Sequence, residues 1–472
     1  MIAAPASSSG KTTLTCALLR LLQNHKKSPV AFKCGPDFID PMFHERVLGI
    51  KSENLDSFFC THGQVRSIFK RNFLESKADC AVIEGVMGLF DGLAGKSIHA
   101  SSYEIAKITK TPVLLVLDCT GFSRSLVALV KGFLDYDKAN SDCKENLIKG
   151  VFLNKASKSQ FALLKPQIEG ECDVKVVGYL PKNTENVWQS RHLGLILPSE
   201  IAGLQDEIEA TANLLSETLD FSAFEDLMNG EREGQFSDNK GNLCEKPSFQ
   251  AASEFASTVP AQSGFSQSPV IAVARDEAFC FYYRENLRML EEAGARIKYF
   301  SPLHDSCIPS DAAGLLLGGG YPELHALKLQ ENDAMRSSIK SAVKNGISVM
   351  AECGGFMYLQ EKLISQEGSN EMCGVLEGEC RYTGKLVRFG YAEFSSNPHV
   401  SNECGKFTVR GHEFHYFDST NNGTAFTAKK PLSERSWPCM IQTEKLLAGF
   451  PHLYYRSCPE LVEHFVKSCN RG

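Results

Sequence analysis

At 472 residues the chain is too long for one hydrophobic core and predicts two domains of ordinary size. Hydrophobic residues make up 43% and charged residues 22%, and a net charge of −6 argues against the basic stripe of a nucleic-acid binder. No basic-then-apolar leader and no bilayer-length apolar run is present, so a cytoplasmic protein with no membrane partner is expected. The 17 cysteines are scattered, odd in number and without a C-x-x-C pair. They predict neither a disulfide framework nor a zinc site, and most read as small core residues in a reducing compartment.

Residues 2–4 form a short first strand, followed by Gly10-Lys11-Thr12-Thr13 and an amphipathic helix over residues 14–22. Gly-Lys-Thr at a strand-to-helix junction predicts phosphate binding. Backbone N–H groups wrap the phosphates, Lys11 neutralises charge and the Thr12 hydroxyl holds Mg²⁺. Pro5 stands where the first glycine of the usual pattern would be. The strand's shortness reads either as a clipped start or as a weak sheet edge.

A strand over residues 30–34 delivers Lys33, and the Gly35-Pro36 turn presents Asp37 and Asp40, which are hard-oxygen partners for Mg²⁺. The strand over 80–84 ends in Glu84, and the glycine-rich loop behind it carries Asp91. Strands over 113–118, 150–155 and 176–180 follow, with Asn154 at a strand end suited to reading a nucleotide base. Short apolar strands alternating with helices predict an α/β fold with a doubly wound, mostly parallel sheet, whose ligands sit at the carboxyl ends of the strands. This domain spans residues 1–221. Residues 222–268 turn rich in Glu, Gly, Ser, Gln and Asn and read as a flexible linker, with a short helix at its start.

A second doubly wound α/β domain covers 269–472, with strands over 270–274, 297–300 and 313–317 and a helix over 283–293. Gly318-Gly319-Gly320 follow the third strand and bring bare N–H groups to its end, which suits an oxyanion hole. The apolar run 347–351 leads through Glu352 into Cys353-Gly354-Gly355 and then a helical pattern. Strand, sharp turn and helix together present a nucleophile on a strained turn, where helix N–H groups favour the thiolate. A thiolate nucleophile needs an imidazole, and His412, His415 and His452 all qualify by type. Spacing does not choose among them. His412 and His415 lack a third ligand for a metal, so packing or substrate contact is the better reading of that pair.

Taken together, Ala-Pro-Ala-Ser-Ser-Ser-Gly-Lys-Thr-Thr (4–13), Lys-Cys-Gly-Pro-Asp-Phe-Ile-Asp-Pro (33–41), Ile-Glu-Gly-Val-Met-Gly-Leu-Phe-Asp-Gly (83–92) and Ser-Arg-His-Leu-Gly-Leu (190–195) resemble one family. The same holds for Gly-Gly-Gly-Tyr-Pro-Glu (318–323), Ala-Glu-Cys-Gly-Gly-Phe-Met-Tyr-Leu (351–359) and Gly-His-Glu-Phe-His (411–415). The chain is similar to the cobyrinate a,c-diamide synthases, glutamine-dependent enzymes of cobalamin biosynthesis, over all but the linker. The resemblance implies a P-loop, dethiobiotin-synthetase-like N-terminal domain and a class I glutamine amidotransferase C-terminal domain. It implies ATP bound by Ser9, Gly10, Lys11, Thr12, Thr13, Lys33 and Asn154, and Mg²⁺ held by Thr12, Asp37, Asp40 and Glu84. On the amidotransferase side it implies Cys353 as nucleophile, His452 as its base, and Gly319, Gly320 and Gly354 around the oxyanion. Asp91, Arg191 and His192 would face the corrin substrate.

Gly-Phe-Pro-His-Leu-Tyr-Tyr around His452 departs from the family's Ser-Tyr-(Ile/Val)-His-Leu-His-Phe. Tyr454 stands where many class I amidotransferases carry a carboxylate. The implied reaction is ATP-driven amidation of two carboxylates through acyl phosphates, with ammonia from glutamine. The substrate is cobyrinate, or alternatively hydrogenobyrinate or a nickel sirohydrochlorin.

Overall fold

The structure, a computed structural model, describes residues 1–142, 145–182, 203–229, 268–397 and 407–469. They fall into two compact units, within Met1–Ser248 and Phe249–Gly472.

The first unit is built on seven strands: β1 (Ile2–Ala3), β2 (Pro29–Cys34), β3 (Ser52–Leu55), β4 (Cys80–Glu84), β5 (Val113–Asp118), β6 (Ile148–Asn154) and β7 (Lys175–Leu180). All pair in parallel, in the order β3-β2-β4-β1-β5-β6-β7. The first strand is therefore central, not a weak edge. Its two residues suffice because both flanks are bonded, Gly85 N–H donating to the Ile2 carbonyl and Leu114 N–H to that of Met1. Helix α1 (Lys11–Asn24) buries Leu14, Leu18, Leu21 and Leu22 against this sheet. Each such leucine contributes roughly 1.5–3 kcal/mol of burial. Helix α2 (Ile39–Leu48) follows β2. The short helix expected after Phe221 is present as Phe221–Asn229, and its Phe224 packs into the same core.

In the second unit β8 (Val270–Ala274), β9 (Arg296–Phe300), β10 (Ala312–Leu317), β11 (Ser348–Glu352), β20 (Ile441–Gln442) and β21 (Leu446–Gly449) form a sheet ordered β20-β21-β11-β10-β8-β9. It is parallel except for the edge strand β20. Two further sheets, absent from the sequence reading, take their strands from the chain between β11 and β20, with one strand added after β21. One, ordered β13-β12-β14-β17, joins β12 (Lys362–Ser365), β13 (Gly368–Glu371), β14 (Glu379–Tyr382) and β17 (Phe417–Ser419). The other joins β15 (Arg388–Ser396), β16 (Thr408–His415), β18 (Phe426–Lys429), β19 (Ser436–Cys439) and β22 (His452–Leu453) as an antiparallel sheet ordered β19-β18-β15-β16-β22. No helix among the described residues is long and apolar enough to cross a membrane.

Candidate active sites

In the first unit the chemistry collects at the carboxyl ends of β1, β2, β4 and β6. Gly10 caps α1 in the left-handed region (φ 88°) with no side chain on the helix N–H groups, and Ser8 is also left-handed (φ 61°). Successive N–H groups in such a turn form a concave anion site. Lys11 Nζ folds back onto the carbonyls of Ala6 (3.0 Å) and Met87 (2.7 Å). Burial, with Lys33 nearby, lowers its pKa to about 8. Ser9 Oγ donates to the Ala6 carbonyl, and Thr12 and Thr13 open α1.

Thr12 Oγ1 donates to Glu84 Oε1 at 2.6 Å and lies 3.4 Å from Asp40 Oδ2. Lys33 Nζ bridges Asp40 (2.6 Å) and Glu84 (2.9 Å). Burial alone would lower Lys33, but the two carboxylates raise it above the ordinary lysine range. The acidic set is thus partly offset by a lysine and is no preassembled cage; among the described residues no cluster of three or more His, Cys, Asp or Glu is arranged to hold a metal. The hard oxygens of Thr12, Asp40 and Glu84 nevertheless fit Mg²⁺, which takes one or two carboxylates and completes its shell with phosphate and water.

Three sequence-predicted residues take up structural contacts. Asp37 Oδ1 accepts the N–H groups of Ile39 and Asp40 and so caps α2, and burial beside Asp40 pushes its carboxyl up to about 6. Asn154 Nδ2 donates to the Ser9 carbonyl (2.9 Å) and lies where a Gly10 side chain would be, so the amide read as a base contact braces the phosphate loop. Asp91 Oδ2 accepts Gly88 N–H (2.9 Å), closing the loop that rests on Pro5. Arg191 and His192 lie outside the described residues. The sequence reading missed His44, fully buried, with Nε2 3.3 Å from Glu84 Oε2 and Nδ1 2.9 Å from Ser52 Oγ. Its signal was present: Asp40 and His44 are spaced i, i+4 on α2 and share a face.

In the second unit Cys353 sits between β11 and the helix Gly354–Leu359, at φ 46°, ψ −102°. For a residue with a Cβ this conformation costs on the order of 1–3 kcal/mol and persists because the surroundings over-determine it. Cys353 N–H donates to the Gly449 carbonyl (2.8 Å) and Gly355 N–H to that of Gly318 (2.9 Å). Any side chain at Gly355 would put its Cβ 2.2 Å from the Leu317 carbonyl oxygen, so the elbow requires glycine there. A Cβ on Gly354 would come 3.2 Å from the Gly320 nitrogen, which brings these two expected oxyanion residues together.

His452 is the candidate histidine that reaches the glycine loop: a Cβ on Gly319 would fall 2.3 Å from its Cε1. Strand β21 lies beside β11, and the chain turns through Phe450-Pro451 into β22, where His452 pairs with His412. Their rings stack at 4.9 Å, and Tyr283 Oη holds His412 Nδ1 at 3.1 Å from behind. His415 Nδ1 donates to the Phe417 carbonyl (2.6 Å) while its ring lies flat on Phe450 at 4.0 Å. Burial, aided by His415, drives the His452 pKa down to about 3, so its imidazole is neutral around pH 7.

The expected thiolate is not favoured in this state. Burial pushes the Cys353 thiol well above the ordinary cysteine range, and the charges of Glu323 and Glu413 outweigh the opposing effect of the Gly354 N–H. Cys353 is therefore a thiol in this state, and a nucleophile at this position would have to shed its proton as it attacks. Glu352, also missed, is pushed up to about 8 by burial, against hydrogen bonds from Tyr455 and the Leu453 N–H. It ties the residue before Cys353 to the residue after His452.

Comparison with known proteins agrees with this two-site architecture. The CobQ/CobB/MinD/ParA nucleotide binding domain matches residues 1–195, and the CobB/CobQ-like glutamine amidotransferase domain matches residues 270–457. Cobyrinate a,c-diamide synthase of Caldanaerobacter subterraneus subsp. tengcongensis is 37% identical, covering 100% of this chain and 98% of the relative. The proteins of that name from Priestia megaterium (35%; 99% and 96%) and Salmonella typhimurium (34%; 100% and 98%) are similar over comparable spans. The chain belongs to the cobyrinate a,c-diamide synthase family of glutamine-hydrolysing ligases.

Proposed function

We propose that the protein converts the a and c carboxylates of cobyrinate to amides in cobalamin biosynthesis, using ATP and ammonia drawn from glutamine. The observation that carries this reading is the pairing, in one chain, of a Gly-Lys-Thr loop flanked by Lys33 with a Cys-Gly-Gly elbow beside a neutral histidine. Relatives of the same length bear the name of that product.

A carboxylate repels ammonia and has no leaving group. Transfer of the γ-phosphoryl group of ATP to it forms an acyl phosphate and releases ADP. Lys11 and Lys33 offset the phosphate charge, with Thr12, Asp40 and Glu84 as the residues that would hold Mg²⁺. When bound, the ion adds charge neutralisation at the phosphates. In the second unit Cys353 attacks the glutamine side-chain carbonyl as its proton passes to His452. The N–H groups of Gly319, Gly320 and Gly354 receive the developing oxyanion. His452 returns the proton to the departing ammonia, and water then hydrolyses the glutamyl thioester with His452 again taking up the proton. Ammonia displaces phosphate from the acyl phosphate and leaves the amide. Two such rounds give the diamide.

The test is mass spectrometry of cobyrinic acid incubated with Mg²⁺-ATP and either glutamine or an ammonium salt, using wild type and Cys353→Ala. Two carboxyl-to-amide conversions are expected with either nitrogen source for wild type, and with ammonium alone for the variant. Conversion of hydrogenobyrinate or nickel sirohydrochlorin in place of cobyrinate would move the substrate assignment. Loss of both nitrogen sources in Cys353→Ala would count against the role of Cys353.

A further inference from the structure

One face of the antiparallel sheet in the second unit changes character along its length. Residues directly opposite in an antiparallel pair share a face, as do alternate residues of one strand. Arg388, Gly390, Ala392 and Phe394 of β15 therefore face the same way as His415, Glu413, Gly411 and Val409 of β16. Ala392, Phe394 and Val409 belong to the core that includes Met350 of β11 and Leu447 of β21. The same face then runs on into Gly390, Glu413, Arg388 and His415. His415 lies flat on Phe450, next to the Gly449 whose carbonyl receives the Cys353 N–H.

Glu413 is poorly provided for at this position. Its side chain is 4% exposed, and Oε2 has no hydrogen-bond partner among the described residues. His415 Nε2 stands 3.8 Å from Oε1, beyond hydrogen-bond length. A buried carboxylate left in this state is costly unless a cation arrives to meet it. Directly across the pair is Gly390, and the missing side chain there leaves room for Lys430, whose Nζ lies 3.4 Å from the Cβ that Gly390 lacks. Lys430 Nζ donates to the Phe389 carbonyl, so it is held in place beside Glu413. The Arg388 guanidinium, opposite His415, lies 5.0 Å from the Trp437 ring centre, with Lys430 6.0 Å from the same ring. A carboxylate with one unpartnered oxygen and two cations thus share one face beside the elbow. An ammonium and a carboxylate on one carbon, the head of a free α-amino acid, is the ligand that complements them.

We propose that Glu413 selects glutamine by binding its α-ammonium group, while Lys430 and Arg388 take the α-carboxylate and so hold the side-chain amide at Cys353. The proposal rests on the reading of Cys353 as a glutaminase nucleophile. It requires that glutamine be preferred over glutaramate, which is glutamine without its α-amino group, because only glutamine brings an ammonium to the unpartnered Oε2.

The experiment measures kcat/KM for ammonia release from both compounds with the full-length wild type, Glu413→Gln and Lys430→Met. In Glu413→Gln the preference for glutamine is expected to fall by about tenfold or more, chiefly through KM, as befits loss of a charge-assisted bond. Lys430→Met instead erodes the preference for glutamine over its α-amide. Equal losses on glutamine and glutaramate in Glu413→Gln would mean that the residue only supports the fold, and would overturn the proposal. A wild type that hydrolyses neither compound would remove the glutaminase reading itself, whereas an active wild type whose preference survives Glu413→Gln sinks the role of Glu413 alone.

Discussion

Gly319 and His452 occupy adjoining space, and that adjacency makes a sharp prediction at the scale of one residue. In Gly319→Ala the new Cβ would fall 2.3 Å from the imidazole, so the ring must move away from its working position. Glutamine-dependent ammonia release is expected to fall by about a hundredfold, the usual consequence of displacing a catalytic group by an ångström. Amidation with ammonium salts should persist, and a variant that keeps its glutaminase rate would show that His452 is not the base. Lys11 supports a second prediction. Its pKa lies at about 8, below the ordinary lysine value of 10.5, so the ammonium is present below that pH and lost above it. Since only the cation neutralises phosphate, KM for ATP should rise as pH passes from 8 to 10. A KM that stays flat across this range would refute the assignment. Both residues could be read in sequence, Lys11 from Gly-Lys-Thr and the glycine from its run of three, but the collision and the shifted pKa depend on burial by segments far away in the chain.

At the scale of elements, the phosphate loop is held by a strand outside its own motif. Asn154, at the end of β6, donates to the Ser9 carbonyl and packs on Gly10. Replacing it with alanine leaves that buried carbonyl unpartnered, a loss of about 1–3 kcal/mol. Asn154→Ala should lower the urea midpoint by a matching amount and raise KM for ATP, while glutaminase activity is unchanged. Unaltered stability would show that water replaces the amide. The loop and the elbow were legible because each is a contiguous strand-turn-helix with its own residue signature. The sheets between β11 and β20 were not. Apart from β15 and β16 their strands have four residues or fewer, and pairings such as β14 with β17 and β16 with β22 join segments tens of residues apart, so the local pattern carries little of the information.

For the whole molecule, two compact units with separate cores predict two calorimetric transitions on heating. A non-hydrolysable ATP analogue with Mg²⁺ should raise only one of them, by about 2.7 kcal/mol at a hundred times its Kd. A single transition moving as one would show that the units unfold together.

The α/β class, the strand-turn-helix junctions at Gly10-Lys11-Thr12 and at Cys353, and the family were legible in sequence, because these depend on short-range patterns that backbone geometry demands. Only the tertiary structure decided which histidine meets the glycine loop, that β1 is central, that Lys33 lies between Asp40 and Glu84, and that Asp37 caps a helix. It also brought His44 to Glu84 and left Glu413 beside Lys430. These are meetings of side chains from distant strands, and burial sets their charge states, so no local stretch of sequence contains them.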